Sequence, residues 1–289
     1  ATKVTITIKV VDKDELTNND DYAIGANDFT ITRGKADDPT DADLIKWADA
    51  EGWNVKDFSD EEVIVLEKNI GTDVNGNDYY VIYALKDHPE TTVKVSVTVE
   101  TGKEPILTVD PAFMELEIGD TYNYKHGISA WDDEDKDITE KVISIGTVDT
   151  SKKGVYVVTY SVTDSDGNTV SKNRVVAVGL YVGENYIYDA HNFVILEDDV
   201  DGTDAQILDL TEAKAWDKAT GQPIDADRIV VADNGGYKAE PDEYEVKIKV
   251  DDATDPSDQV TAIAKVVEGN VIEHGDKYTI VASNIVMTL

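Results

Sequence analysis

A four-residue phrase recurs along this 289-residue chain: SAWD at 129–132, KAWD at 214–217 and, more loosely, EGWN at 51–54. From each Trp a strand-rich stretch of similar length runs to a Tyr: Trp53 to Tyr80, Trp131 to Tyr156, Trp216 to Tyr244. A second phrase repeats in matched register, YAIGANDFTI at 22–31, YIYDAHNFVI at 186–195 and YTIVASNIVM at 278–287. Such periodic self-similarity marks a repeat architecture, so one large core is not expected here. The chain reads as a tandem array of small β-modules. The shared Trp, filled three times by one large apolar ring, is expected to plug the core of each.

The repeats align beyond these phrases. TDADLIKW at 40–47 matches TDAQILDL at 203–210, each opening on a Thr with an acidic or amide residue three places later, the pattern of a capping box. Leu44, Trp47 and Ala48, like Ile207, Leu210 and Thr211, share one face at helical spacing. A short capped helix is therefore expected in the first and third modules, and the middle module lacks it. Each module closes on strand, turn, strand; in the middle one the turn holds Asp166-Gly167, a strong hairpin signal. The expected division is 1–11 as the closing strand of a preceding module, then modules at 12–101, 102–179 and 180–268. Residues 269–289 read as the opening strand of a following one. Orphan strands at both ends are expected to pair with a neighbouring module or stay loosely ordered, because open edges invite aggregation.

Lys and Arg number 26 against 60 Asp and Glu, a formal charge of −34. Phosphate backbones and anionic membrane surfaces would repel such a chain, so no nucleic acid is expected as a partner. There is no cysteine to form disulfides and no apolar run of 18 residues, so no membrane insertion is expected. The opening ATKVTITIKV is an alternating strand, unlike a signal peptide.

In the middle module AWDDEDKDIT, GTVDTSKKGVYVVTYSVTDSDGN and a final valine-rich strand stand together. This combination resembles the bacterial immunoglobulin-like modules of Gram-positive cell-surface proteins of adhesin type, which are also appended to some pesticidal crystal proteins. The resemblance covers nearly all of the middle module and reaches the outer ones through their repeat relation to it. It implies an all-β fold of tandem immunoglobulin-like β-sandwiches in a secreted or cell-wall-anchored bacterial protein, with no catalytic residues to carry over. Lys–Asn isopeptide cross-links occur in some such modules; no pair stands out here.

Acidic clusters are the recurring candidates for chemistry. Asp132, Asp133, Asp135 and Asp137 follow the middle Trp and form a candidate calcium site, since Ca²⁺ takes six to eight oxygen ligands. Comparable groups are Asp73, Asn75, Asn77 and Asp78; Asp198, Asp199, Asp201 and Asp204; and Asp251, Asp252, Asp255 and Asp258. None has EF-hand spacing, and Asp and Asn are equally good turn residues, so the turn reading stands beside the metal reading. His88, His126, His191 and His274 are scattered without zinc-ligand spacing, and no nucleophile elbow or phosphate loop is present. Tyr79, Tyr156, Tyr160 and Tyr244 fit core or tyrosine-corner positions, whereas Tyr181, Tyr186 and Tyr188 are candidates for an exposed binding surface.

The chain is thus expected to be non-catalytic and monomeric, and to lie outside a bacterial cell, on its surface or in its wall. Its role would be a rod-like spacer or adhesin stalk with neighbouring modules of its own chain as partners. The alternative is a module that binds a glycan or host protein through loops at one end of a sandwich, with calcium as the one possible cofactor.

Overall fold

The computed structural model describes residues 7–76, 78–269, 271–275 and 279–282. Its strands come from the period-2 patterns. Thr92–Glu100 alternates buried valines with exposed Lys, Ser, Thr and Glu along its length, and Asp242–Val250 and Val260–Val267 do the same. The fold is all-β, made of tandem immunoglobulin-like sandwiches.

One strand path occurs in both outer repeats. In the first, Tyr22–Ala26 pairs antiparallel with Glu51–Asn54 in one sheet. The chain then crosses to a second sheet, where Phe29–Thr32 runs parallel to the closing strand Thr92–Glu100, followed by Tyr80–Leu85 and Val63–Asn69. In the third repeat, Tyr186–Asp189 pairs with Lys214–Asp217, and Phe193–Leu196 then runs parallel to Val260–Val267. The repeated phrase explains the crossing. Its seventh residue, Asp28 or Asn192, accepts a hydrogen bond from the closing strand's backbone, from Ser96 N at 2.7 Å and from Ile263 N at 2.8 Å. In the middle repeat Phe113–Leu116 runs parallel to Thr169–Val178, followed by Gly154–Thr163 and Ile143–Ile145. A second sheet there joins Ile106–Val109, Ile128–Asp132 and Lys136–Asp137.

Both expected helices are present. Asp41–Trp47 is capped by a complete box: Thr40 Oγ1 accepts from Asp43 N, and the Asp43 carboxylate accepts from Thr40 N. Asp204–Thr211 is capped by Thr203, but Gln206 turns away from the cap to accept from Asp201 N and Tyr237 Oη. Leu44 and Ile207 are fully buried beneath these helices, each stabilising its core by roughly 1.5–3 kcal/mol. Tyr83, in the first core, donates its hydroxyl to Leu44 O at 2.6 Å. A short helix at Arg33–Ala36 was not foreseen.

The Trp expectation holds for Trp53, which is buried, and in part for Trp216, which is half-buried. It fails for Trp131, which is 48% exposed. In the strand Ile128–Asp132 the inward positions are taken by Ala130 and Asp132, so alternation turns Trp131 outward, with Lys136 Nζ 6.0 Å from its ring centroid.

The tyrosine-corner expectation is met twice: Tyr156 and Tyr244 each donate to the carbonyl four residues upstream, Lys152 O at 3.0 Å and Glu240 O at 2.9 Å. Tyr188 is not exposed as expected. It is buried, donates to Asp258 O, accepts from Val250 N, and its phenol is pushed up to about 12 by burial.

By compactness the chain divides into two units, residues 1–106 with 130–142 and 162–170, and residues 107–129 with 143–161 and 171–289. In the first, one core is built around Ile24, Leu44, Tyr83, Leu85 and the valines of the closing strand. In the second, two clusters fill the sandwich of the third repeat, and another joins Val175 and Ala177 to Leu180 and Ile187. Near the C-terminus Val271–His274 and Thr279–Ala282 pair antiparallel with each other. Residues 1–6, 270, 276–278 and 283–289, and with them more than half of each expected terminal strand, lie outside the described residues.

Candidate functional site

Within the first unit, carboxyl side chains gather where two hairpins, at 130–142 and 162–170, meet the linker residues Gly102 and Lys103 and the Arg33–Ala36 helix. The second hairpin is the Asp-Gly turn read from the sequence. Asp164 folds back on it, accepting from Asn168 N and Nδ2 at 2.8 and 3.0 Å. Asn168 Nδ2 in turn reaches Gly102 O and Lys103 O at 3.2 and 3.1 Å. Asp166 is 1% exposed and accepts from Gly34 N at 2.5 Å, while its carbonyl accepts from Arg33 Nη1. A Cβ on residue 102 would lie 2.1 Å from Asp166 Oδ2, so only glycine lets the linker pass so close.

The four carboxylates of the candidate calcium site serve different ends. Asp132 points inward from its strand and is 2% exposed; its Oδ1 accepts from Glu134 N and Asp135 N at 2.8 and 2.9 Å. Asp133 points out to Lys103 at 2.5 Å, and that hydrogen bond and charge hold its carboxyl below the usual range. Asp135 accepts from Ser165 N at 2.7 Å and pairs with Lys141 at 3.1 Å. Burial pulls its pKa upward, but these bonds outweigh burial and hold it below the ordinary value. Asp137 is exposed and accepts from Thr139 N at 3.0 Å.

Glu134, between them, is the reverse case. Burial first, then the charge and proximity of Asp132 and the charge of Asp166, raise its pKa above the usual carboxylate range. Asp132 Oδ2 and Glu134 Oε2 are both buried without a hydrogen-bond partner. Sequence reasoning named Asp132 but not the burial of Asp166 or the role of Glu134. Alternation along 128–132 was the available signal for Asp132; the Asp-Gly turn hid Asp166 behind its turn chemistry.

The other acidic loops behave as turns and caps. Asp73 Oδ1 accepts from Asn75 N, Asp201 Oδ1 from Thr203 N and Oγ1, and Asp255 Oδ1 from Ser257 N and Oγ. Asn77 lies outside the described residues. Asp251 and Asp252 pair with Arg228, and Asp258 anchors Asn185 and Tyr186 through their backbone N–H groups. His88 stacks on Tyr22 at 3.6 Å between centroids, and His191 lies between Asp189 and Glu212, each at 3.8 Å. Among the described residues no three His, Cys, Asp or Glu side chains form a ready metal-ligand group, and no helix is long and apolar enough to cross a membrane.

Residues 110–178, which hold the parallel pair, the outward Trp131 and the Asp-Gly hairpin, match the family described as "Bacterial surface protein, Ig-like domain". The chain carries a bacterial surface Ig-like module. That module spans most of the middle repeat. The chain is also 31% identical over 199 residues to pesticidal crystal protein Cry22Aa of Bacillus thuringiensis, a match covering 66% of this chain and 26% of that protein. The chain therefore spans about a quarter of this relative's length. Among solved structures it is 32% identical to a Clostridium perfringens ZmpB structure of CBM51-2 in complex with GlcNAc and INT domains. That match covers 29% of this chain and 17% of the other, with a TM-score of 0.23. It is 18% identical to the lipoprotein BT2262 of Bacteroides thetaiotaomicron, covering 59% and 84%, with a TM-score of 0.26. Neither superposition reaches the level of a shared overall structure.

Proposed function

We propose that this chain is a non-catalytic, extracellular segment of a bacterial cell-surface protein, a monomeric, rod-like spacer or adhesin stalk that holds a binding region away from the cell wall. The observation that carries this reading is the parallel pairing repeated three times, Phe29–Thr32 with Val97–Glu100, Phe113–Leu116 with Val175–Val178, and Phe193–Leu196 with Ala264–Val267. In each repeat an early strand lies beside the closing strand and points the same way. Force pulling the repeat's ends apart then loads those ladder hydrogen bonds in shear, together, and does not peel them one at a time. That suits a tether under tension, and surface location follows the matched family.

Small-angle scattering should show an extended monomer, and single-molecule pulling through the termini should show discrete high-force unfolding events. A globular particle that unravels without force peaks would refute the spacer.

A second reading has one observation in its favour. A cleft of about 660 Å³ between the third repeat and the C-terminal strand pair is lined by His191, Asn192, Glu243, Lys265, His274 and Thr279, within the size range of ligand sites. A glycan array would test it, with Glu243→Ala and Lys265→Ala expected to abolish any specific signal.

A further inference from the structure

In each repeat the sheet holding the closing strand ends, on the side away from the parallel pair, in an edge strand. The three repeats treat that edge differently. In the first and third it is Val63–Asn69 and Ile229–Asp233, and both are blunted. Leu66 and Ala232 are bulged out of register with the neighbouring strand, and the capped helix lies against each edge. Each strand also carries charge, Glu67 and Lys68 in one and Asp233 in the other. Lys68 Nζ ties the first edge to the helix entry through Pro39 O at 2.9 Å. Bulges, charges and covering helices are the means by which a sheet edge is kept from recruiting another strand.

The middle repeat has none of these. Its edge strand, Ile143–Ile145, stays in register with Gly154–Thr163, setting Ile143 opposite Ser161 and Ile145 opposite Thr159. No α-helix occurs in that repeat, and the segment 142–148, VISIGTV, is uncharged. Val158, Tyr160 and Val162 take the buried face of the neighbouring strand, so both isoleucines lie on its outward face, 59% and 65% exposed. A short, uncharged, β-branched edge with its backbone groups open is a template for one more strand.

We propose that the Ile143–Ile145 edge accepts an extended, basic segment of a partner protein as an additional strand of the middle repeat's sheet. Main-chain hydrogen bonds along the open edge hold the incoming strand, and side-chain contacts at alternate positions select it. Ile143 and Ile145 pack against apolar residues two apart on that strand, and a one-residue slip would turn those residues to the other face. A second copy of this chain offers a matching edge but sets a charge of −34 against −34. A segment carrying Lys or Arg instead meets the field of the whole molecule and is steered by it. The edge shares no residue with the cleft beside the third repeat.

The test uses the full chain and a synthetic peptide in which valine alternates with threonine and lysine, with a twin carrying glutamate for lysine. At an ionic strength of about 0.15 M, where diffuse attraction is screened, the basic peptide should bind in fluorescence polarisation and the acidic twin should not. Hydrogen exchange should slow at 142–146 and stay unchanged along Val63–Asn69 and Ile229–Asp233. Ile143→Lys and Ile145→Lys add the charge that blunts natural edges, and each should weaken binding by about tenfold. Leu66→Lys makes the same change of charge on the blunted edge of the first repeat and should leave binding unchanged. All three positions are exposed, and an unaltered Tm would show that the variants fold. Equal weakening by Leu66→Lys would mean diffuse attraction to an acidic surface and would overturn the proposal. Unchanged exchange at 142–146 with the peptide in excess would do the same. A dimer in analytical ultracentrifugation that Ile145→Lys dissolves would give the edge to a second copy and overturn it too.

Discussion

Arg174 is fully buried, and its guanidinium is met by neutral oxygens. Nε donates to Pro111 O and Nη2 to His126 O, both at 2.8 Å, and Nη1 reaches Tyr160 Oη at 3.5 Å. Such a fork ties three separate segments of the second unit, which Lys, a single point donor, cannot do. Arg174→Met should destabilise by about 2–6 kcal/mol, roughly one to three for each carbonyl left unpaired, and Arg174→Lys should recover only part of that in urea titrations. The Trp pair gives a sharper comparison. Trp53→Ala should cost about 3–5 kcal/mol by opening a cavity. Trp131→Ala, on the outer face, should cost under about 1 kcal/mol, the size of an exposed cation–π contact. Equal losses at the two positions would mean that Trp131 is covered in solution.

The two capped helices share a sequence pattern but not a wiring scheme. Thr40→Ala and Thr203→Ala should each cost about 0.5–2 kcal/mol. Gln206→Ala should cost more than Asp43→Ala, because Gln206 Nε2 also donates to Asp199 O, so one side chain joins the loop, the helix and Tyr237. Double-mutant cycles between Gln206 and Tyr237 would read that coupling directly. What could be read from the sequence at this scale was whatever repeats or alternates: the strands that open the two outer parallel pairs lie in the recurring phrase, the middle pair has no such signal, and both helices follow from Thr-x-x-Asp and Thr-x-x-Gln. What could not be read was which way a residue faces when its neighbours are ambiguous. Trp131 looked apolar enough for any core, yet its strand places Ala130 and Asp132 inside, and a one-residue step exchanges the two faces. Asp166 looked like a turn residue and is one, but its turn is pressed against a linker glycine, a contact between segments far apart in sequence.

Across the whole molecule, a formal charge of −34 makes self-repulsion the dominant solution variable. Raising ionic strength from about 0.01 to 0.15 M should increase Tm, since the Debye length falls from about 30 to 8 Å. Acid works in two directions. Asp135, Asp137 and Asp255 are held below the ordinary carboxylate range, so the stability they confer is present at neutral pH and is lost as pH falls below about 3.9. Glu134 is shifted the other way, so the chain gains stability as pH falls through that group's raised range and loses it as pH rises. The melting temperature should therefore peak in mild acid, and Glu134→Gln should flatten the neutral side of that peak.

The cluster that joins Val175 and Ala177 to Leu180 and Ile187 lies across the point where the sequence passes from its second repeat to its third. Gly221 presses on the same surface; a Cβ there would sit 2.6 Å from Val157 Cγ2. A cut between residues 179 and 180 would strip the second repeat of the covering over its closing strand and leave a greasy face prone to precipitation. The smallest piece that could be transplanted intact into another protein is thus larger than the repeat, and shuffling these repeats as interchangeable beads would select for pairs.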